Sequence, residues 1–272
     1  MKSHMITGGG GIQLHLVETG NSRGRPIVFI HGVSQSSLAW TRQMNSGLAD
    51  DYRLVAMDMR GHGLSDKPRE GYADSRLWAD DVRAAITALN LDHPILCGWS
   101  YGPIVILDYL RHYGEDAICG VNFVGGVTKL GSDEAASVLT AEFLSLVPGF
   151  FSVDAEESVR SLDSLLRLCF AQNLSTEDRY RMLGYSVSVP PYVRQALFSR
   201  SFDNDDLLPR LRKPVLIAHG TDDAVVKPAV IDQQMVRITS GKIRMMADAG
   251  HACFWNDAAA YNRCLQEFAE AL

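Results

Sequence analysis

Ser100 lies in the stretch Gly98-Trp99-Ser100-Tyr101-Gly102, after the apolar run Pro94-Ile95-Leu96-Cys97 and before Pro103-Ile104-Val105-Ile106-Leu107-Asp108-Tyr109-Leu110. This reads as a short strand, a sharp turn and a helix, and G-x-S-x-G is the spacing of a nucleophile elbow. The turn is so tight that a side chain two places before or after the serine would collide with the neighbouring strand or helix. It lifts the hydroxyl over a helix N-terminus, whose dipole favours developing negative charge. A serine hydroxyl is a poor nucleophile at neutral pH and needs a base to take its proton. The base in turn needs a carboxylate to fix its tautomer and stabilise its cation. The chain offers eight histidines as bases, and the acidic pair Asp222-Asp223 follows an apolar run.

The surrounding elements must bring such groups together. Ile12–Glu18 alternates as a half-buried edge strand does. Pro26–Ile30, Arg53–Met57, Ile118–Val124 and Pro214–Gly220 are continuous apolar runs of the kind found in buried parallel strands, and Lys242–Met246 reads as the last strand. A helix is expected through Trp40 and Leu48, and further helices over Leu77–Leu89, near Ala229–Ile238 and from about Asp257. Ala249–Trp255 reads as a loop. This alternation predicts an α/β fold, a doubly wound, mostly parallel sheet with helices on both faces. Ligands bind at the carboxyl ends of the strands in such sheets, which is where His31-Gly32, Asp58 and Ser100 fall. From Thr128 to Asp206 the pattern turns helical, punctuated by Pro148-Gly149 and Pro190-Pro191. The expected division is a core of residues 6–127 and 207–272 and a helical cap of residues 128–206. Residues 1–5 read in part as a cloning scar, and Gly8–Gly11 as a flexible lead-in.

Composition narrows the function classes. With 46% hydrophobic and 21% charged residues the chain suits a soluble globular protein. A formal charge of −6 without a basic cluster argues against nucleic acid as a partner. No apolar run is long enough to span a membrane, and the N-terminus lacks an apolar signal core. Five cysteines without metal-type spacing read as reduced thiols, so a cytoplasmic location is expected. No metal or cofactor is called for, because neither ligand spacing nor a phosphate-cradling lysine motif is present.

Five elements together resemble the α/β-hydrolase family: His31-Gly32, the segment Asp58-x-Arg60-Gly61-x-Gly63-x-Ser65, the elbow, the acidic loop after His219-Gly220, and Gly250-His251. The resemblance covers nearly the whole chain outside the cap. It implies the order nucleophile, acid, base, with Ser100 as nucleophile and His251 as base. His31 and His62 belong to turn motifs and read as structural; His15, His93, His112 and His219 lie away from the elbow. The family places its acid three residues after the glycine of the His-Gly pair, which selects Asp223 over Asp222. It also implies that the backbone N–H groups of Val33 and Tyr101 form the oxyanion hole. Pro103 lies in the first turn of a helix, where its missing N–H costs little.

The implied reaction is hydrolysis of an ester or lactone through an acyl-serine. Trp40, Phe143, Phe254 and Trp255 are candidates for an apolar pocket taking a small, uncharged substrate. Serine relatives also include cofactor-free haloperoxidases acting as perhydrolases, and carbon–carbon bond hydrolases. A small-ligand receptor on the same fold is the reading from a different class. Serine at position 100 argues against the haloalkane dehalogenase and epoxide hydrolase branches, whose nucleophile is aspartate.

Overall fold

The computed structural model describes residues 1–170 and 174–272. Its framework is an eight-stranded sheet: β1 (Lys2–Thr7), β2 (Gln13–Gly20), β3 (Pro26–Ile30), β4 (Arg53–Met57), β5 (Ile95–Trp99), β6 (Gly120–Val124), β7 (Val215–Gly220) and β8 (Gly241–Met246). The order across the sheet is β1-β2-β4-β3-β5-β6-β7-β8. The first two pairings, β1 with β2 and β2 with β4, are antiparallel; all others are parallel. Every residue of β3, β5, β6 and β7 is buried, as expected for strands covered by helices on both faces. The expected fold class is therefore the observed one.

One strand was not anticipated and two local readings are corrected. Residues 2–7 pair with β2 from Lys2↔Glu18 to Thr7↔Gln13, so the residues read as scar and the start of the core form one edge strand. Gly8–Gly11 is no loose lead-in: Gly9 is buried and its N–H donates to Asp81 Oδ1 at 2.8 Å. The helix expected through Trp40 and Leu48 is broken into short turns at Ser37–Trp40, Thr41–Met44 and Leu48–Asp51.

Helices flank the sheet. Ser75–Ala88 starts at Asp74, whose carboxylate accepts from the Arg76 N–H at 2.9 Å, and it buries Trp78, Val82, Ala85 and Ile86 at helical spacing. It packs against Gly102–Tyr113, the helix that follows the serine turn. Between β6 and β7 the described residues form five α-helices: Asp133–Ser137, Ala141–Phe150, Ala155–Cys169, Thr176–Val187 and Pro191–Phe198. Ser132, Thr140, Asp154 and Ser175 cap the first four, each side-chain oxygen accepting the backbone N–H three residues on. Pro148, expected to interrupt the pattern, instead sits in the last turn of Ala141–Phe150. Phe143, Phe150 and Phe198 pack on one another with ring centroids about 6 Å apart, giving these helices an apolar centre of their own. Arg200 ties them to the body of the protein through Nη2, which donates to both Asp108 oxygens, at 3.0 and 2.8 Å.

A second buried pair braces the other side. Arg60 donates to both oxygens of Asp81, at 2.7 and 2.9 Å, and to the Gly9 and Leu77 carbonyls. Each side chain is about 1% exposed, so neither charge can turn to water if its partner is lost. Asp81→Ala is expected to cost about 3–5 kcal/mol in urea unfolding, because it strands a buried guanidinium. The double change Arg60→Met/Asp81→Leu is expected to recover most of that loss.

Candidate active site

The turn after β5 carries Ser100 at φ +60°, a left-handed conformation that is costly for a side chain with a Cβ. The strain is held from both sides: the Ser100 N–H donates to the Val124 carbonyl at 2.9 Å, and the Ser100 carbonyl accepts from Val127 N–H at 3.2 Å. The two flanking glycines are steric requirements. A Cβ on Gly98 would meet the backbone of Gly102 at 2.6 Å, and one on Gly102 would meet the Ile30 carbonyl oxygen at 2.7 Å.

The loop after β3 runs directly against this turn. A Cβ on Gly32 would stand 2.9 Å from the Ser100 Cβ, so only glycine allows the approach. Among the described residues, neither the Val33 nor the Tyr101 N–H is spent on a protein acceptor. Two uncommitted donors thus flank Ser100. The Tyr101 side chain points away and accepts from Arg200 at 3.1 Å.

The loop is held by the segment after β4. His31 Nδ1 donates to the Gly32 carbonyl at 2.7 Å while its Nε2 accepts the Met59 N–H at 3.0 Å. His62 Nδ1 donates to the Arg60 carbonyl and its Nε2 accepts the Ser34 N–H at 3.2 Å. Both rings must be neutral to do this. Burial lowers both, and pushes His62 down to about 3. Asp58 accepts from Ser37 N–H, Leu64 N–H and His15 Nδ1, at 2.6, 2.9 and 2.8 Å. Burial pushes its carboxyl up, but the His15 hydrogen bond and the two N–H donors outweigh this and hold it at about 2.

Asp223 follows β7 and His251 follows β8. His251 Nδ1 lies 2.8 Å from Asp223 Oδ2, with both side chains at most 2% exposed. An ionised carboxylate only accepts, so Nδ1 carries the proton and Nε2 is free to accept one. Asp223 Oδ1 takes the N–H groups of Val225 and Val226, each at 2.8 Å. Burial opposes the charge, yet His251 and His219 hold this carboxyl well below the usual carboxylate range. Asp222, by contrast, is exposed and bonds to Thr221.

His219, expected away from the elbow, is not among the residues lining the cavity with Ser100, but it does reach the acid. Its Nε2 is 3.2 Å from Asp223 Oδ2 and 2.9 Å from the Val226 carbonyl, so it is a second histidine on the same carboxylate. Gly125 also lies on this pair: its φ is +49°, and a Cβ there would stand 3.2 Å from His251 Nδ1. The His-Gly-x-x-Asp spacing was the only signal for His219, and nothing in the sequence marked Gly125. Cys253–Asn256, read as part of a loop, is one helical turn.

Ser100 and His251 line one cavity, with Val33, Gln35 and Trp99 beside them. Leu165 and Cys169, from the helices between β6 and β7, and Val225 complete its apolar wall. The four aromatic residues expected in the pocket are not among these lining side chains. Trp40 stacks on Phe254 at 4.2 Å, and both are core residues with at most 1% exposure. Trp255 packs edge-on to Phe170, and Phe143 belongs to the helical cluster above. Trp99 does reach the site: its indole N–H donates to the His251 carbonyl at 2.9 Å. Among the described residues, no group of three or more His, Cys, Asp or Glu is placed to hold a metal.

A strained serine between parallel strands, backbone donors beside it and a histidine on a buried carboxylate define a hydrolase of the α/β class. The α/β-hydrolase fold family matches residues 25–258, and the chain belongs to that family. An esterase from Rhodococcus sp. ECU1013 superposes with a TM-score of 0.93, at 37% identity, over 100% of both chains. A non-heme chloroperoxidase from Streptomyces lividans is 30% identical over 229 residues, 81% of this chain and 82% of that protein. An AB hydrolase superfamily protein, YisY, from Bacillus subtilis is 28% identical over 260 residues, 91% of this chain and 92% of its own. The chain is a hydrolase with esterase-like relatives.

Because Asp58 is held near 2 in the folded state, its ionised form stabilises the protein above about pH 4. That contribution, about 2 kcal/mol, should be lost as pH falls from about 4 to 2. Chemical denaturation across this range is expected to show a smaller loss of stability in Asp58→Asn than in the parent, starting from a lower value at pH 7.

Proposed function

We propose that the protein hydrolyses a carboxylic ester or lactone of a small, largely apolar substrate through an acyl-Ser100 intermediate. The observation that carries this reading is the buried Asp223–His251 pair opening onto the same cavity as the strained Ser100. Ser100 Oγ attacks the carbonyl carbon and its proton passes to His251 Nε2. The carbonyl oxygen becomes an oxyanion facing the Val33 and Tyr101 N–H groups, which are fixed in place before the charge forms. Collapse breaks the ester bond, and the leaving oxygen takes the proton from His251. Water then attacks the acyl-serine and gives one proton to His251, which returns it to Ser100 as the acid leaves. Asp223 keeps Nδ1 protonated and stabilises the imidazolium throughout.

His219 serves as a positioning residue in this scheme. Three groups donate to Asp223, namely His251 and the N–H groups of Val225 and Val226, and the His219 ring, held by the Val226 carbonyl, packs 3.2 Å from Oδ2 on the remaining side. Residues 128–206 serve as the cap, and Leu165 and Cys169 present its apolar underside to the substrate. The cavity wall, not the aromatic core behind it, supports an uncharged acyl group. All five cysteines are free thiols, which supports a reducing, cytoplasmic setting. Among the described residues, no helix is long and apolar enough to cross a membrane.

The likeness to a non-heme chloroperoxidase favours one second reading. Hydrogen peroxide in place of water would release the same acyl group as a peroxy acid. An assay with acetate, peroxide and an oxidisable halide acceptor, run beside ester hydrolysis, separates the two.

An organophosphonate should label Ser100 by mass spectrometry, and His251→Ala should abolish labelling; an unmodified Ser100 in the parent would sink the proposal. Asp223→Asn is expected to lower kcat on an aryl ester by roughly 10²–10⁴. Asp222→Asn should stay within about twofold, as a surface change away from the reacting groups should.

A further inference from the structure

Gln35 stands two residues beyond Val33 on the loop that faces Ser100, and its side chain lines the cavity that Ser100 and His251 share. It is 2% exposed. Its Oε1 is buried and accepts no hydrogen bond among the described residues. Among the described residues, none of the other groups on the wall donates to it. Val33, Leu165 and Val225 are aliphatic, and the Trp99 indole N–H is already given to the His251 carbonyl. An amide oxygen buried without a donor destabilises the fold, and a hydrophobic side chain of the same size would avoid that penalty. A carboxamide oxygen left unpaired at the reacting centre makes physical sense if the substrate supplies the missing donor.

We infer that Gln35 is a specificity-determining residue, and that the ester taken by this site carries a hydrogen-bond donor, a hydroxyl or an amide N–H, within a few bonds of the scissile carbonyl. The inference rests on the proposed ester hydrolysis and refines its substrate class. The reach follows from the chain: Val33 offers its N–H to the carbonyl oxygen, so a side chain two residues further on meets atoms close to that carbonyl. The donor can sit on either side of the ester bond, in the acid or in the alcohol. A site of this kind discriminates mainly by leaving its own polar group unpaired when an analogue lacks the donor.

Two isosteric pairs of esters test this. On the acid side, p-nitrophenyl 3-hydroxybutyrate is compared with p-nitrophenyl 3-methylbutyrate. On the alcohol side, 2-hydroxyethyl butyrate is compared with propyl butyrate. Each kcat/KM is divided by the rate of alkaline hydrolysis to remove intrinsic reactivity. The parent protein is expected to favour the hydroxylated member of one pair by roughly tenfold to a hundredfold, and the pair that responds locates the donor. Gln35→Met should reduce that ratio to about one, with a melting temperature equal to or above the parent's, because the unpaired acceptor is gone. Gln35→Leu gives the same readout if the methionine variant does not fold. Hydrolysis of both members of each pair at equal corrected rates would overturn the role of Gln35 while leaving the ester-hydrolase reading intact, as would a ratio unchanged in both variants. Turnover of none of the four esters would remove the ester-hydrolase reading itself, and this inference with it.

Discussion

The close approach of two backbone turns governs this structure. Ser100 is held at positive φ on the turn after β5, and the loop after β3 passes so near that a Cβ at Gly32 would touch the serine's own. Gly98 and Gly102 remove the other two collisions. Such a turn is strained in isolation and persists only because its surroundings determine it. Here those surroundings are the ladders on either side of β5, the Val124 and Val127 hydrogen bonds, and a helix beginning at once on the far side.

The loop opposite Ser100 is fixed with equal care. His31 and His62 each donate from one ring nitrogen and accept on the other, so neither can be charged without breaking a contact. Asp58 accepts from the same loop at Ser37 and from the turn beyond at Leu64. Uncommitted N–H groups at Val33 and Tyr101 therefore sit on rigid supports. Across the sheet, Asp223 is held by two backbone N–H groups and His251, with the His219 ring packed beside it, while Gly125 and the Trp99 indole pack around His251.

Much of this was legible in the chain. Pro26–Ile30 and Arg53–Met57 were readable to the residue, because strands buried on both faces are uninterrupted apolar runs. The elbow was legible because its glycines are demanded by backbone contact. Other features left weaker traces. β1 begins among residues that look foreign, since a polar edge strand has no distinctive pattern. The aromatic residues beside the motifs suggested a pocket, yet Trp40 and Phe254 stack in the core, because side-chain type does not say which face of a layer it meets.

The sequence by itself determined the class of fold, the strained serine turn, and the short list of acids and bases. Alternation and glycine spacing are local properties that the backbone enforces within a few residues. Only the tertiary structure decided which groups meet. His219 reaches Asp223 because β7 ends where the acidic loop turns back over it, and Gln35 faces the cavity unpaired because the helices between β6 and β7 close over it with apolar side chains. Hydrogen-bond satisfaction is a property of a complete environment, and no window of sequence contains one.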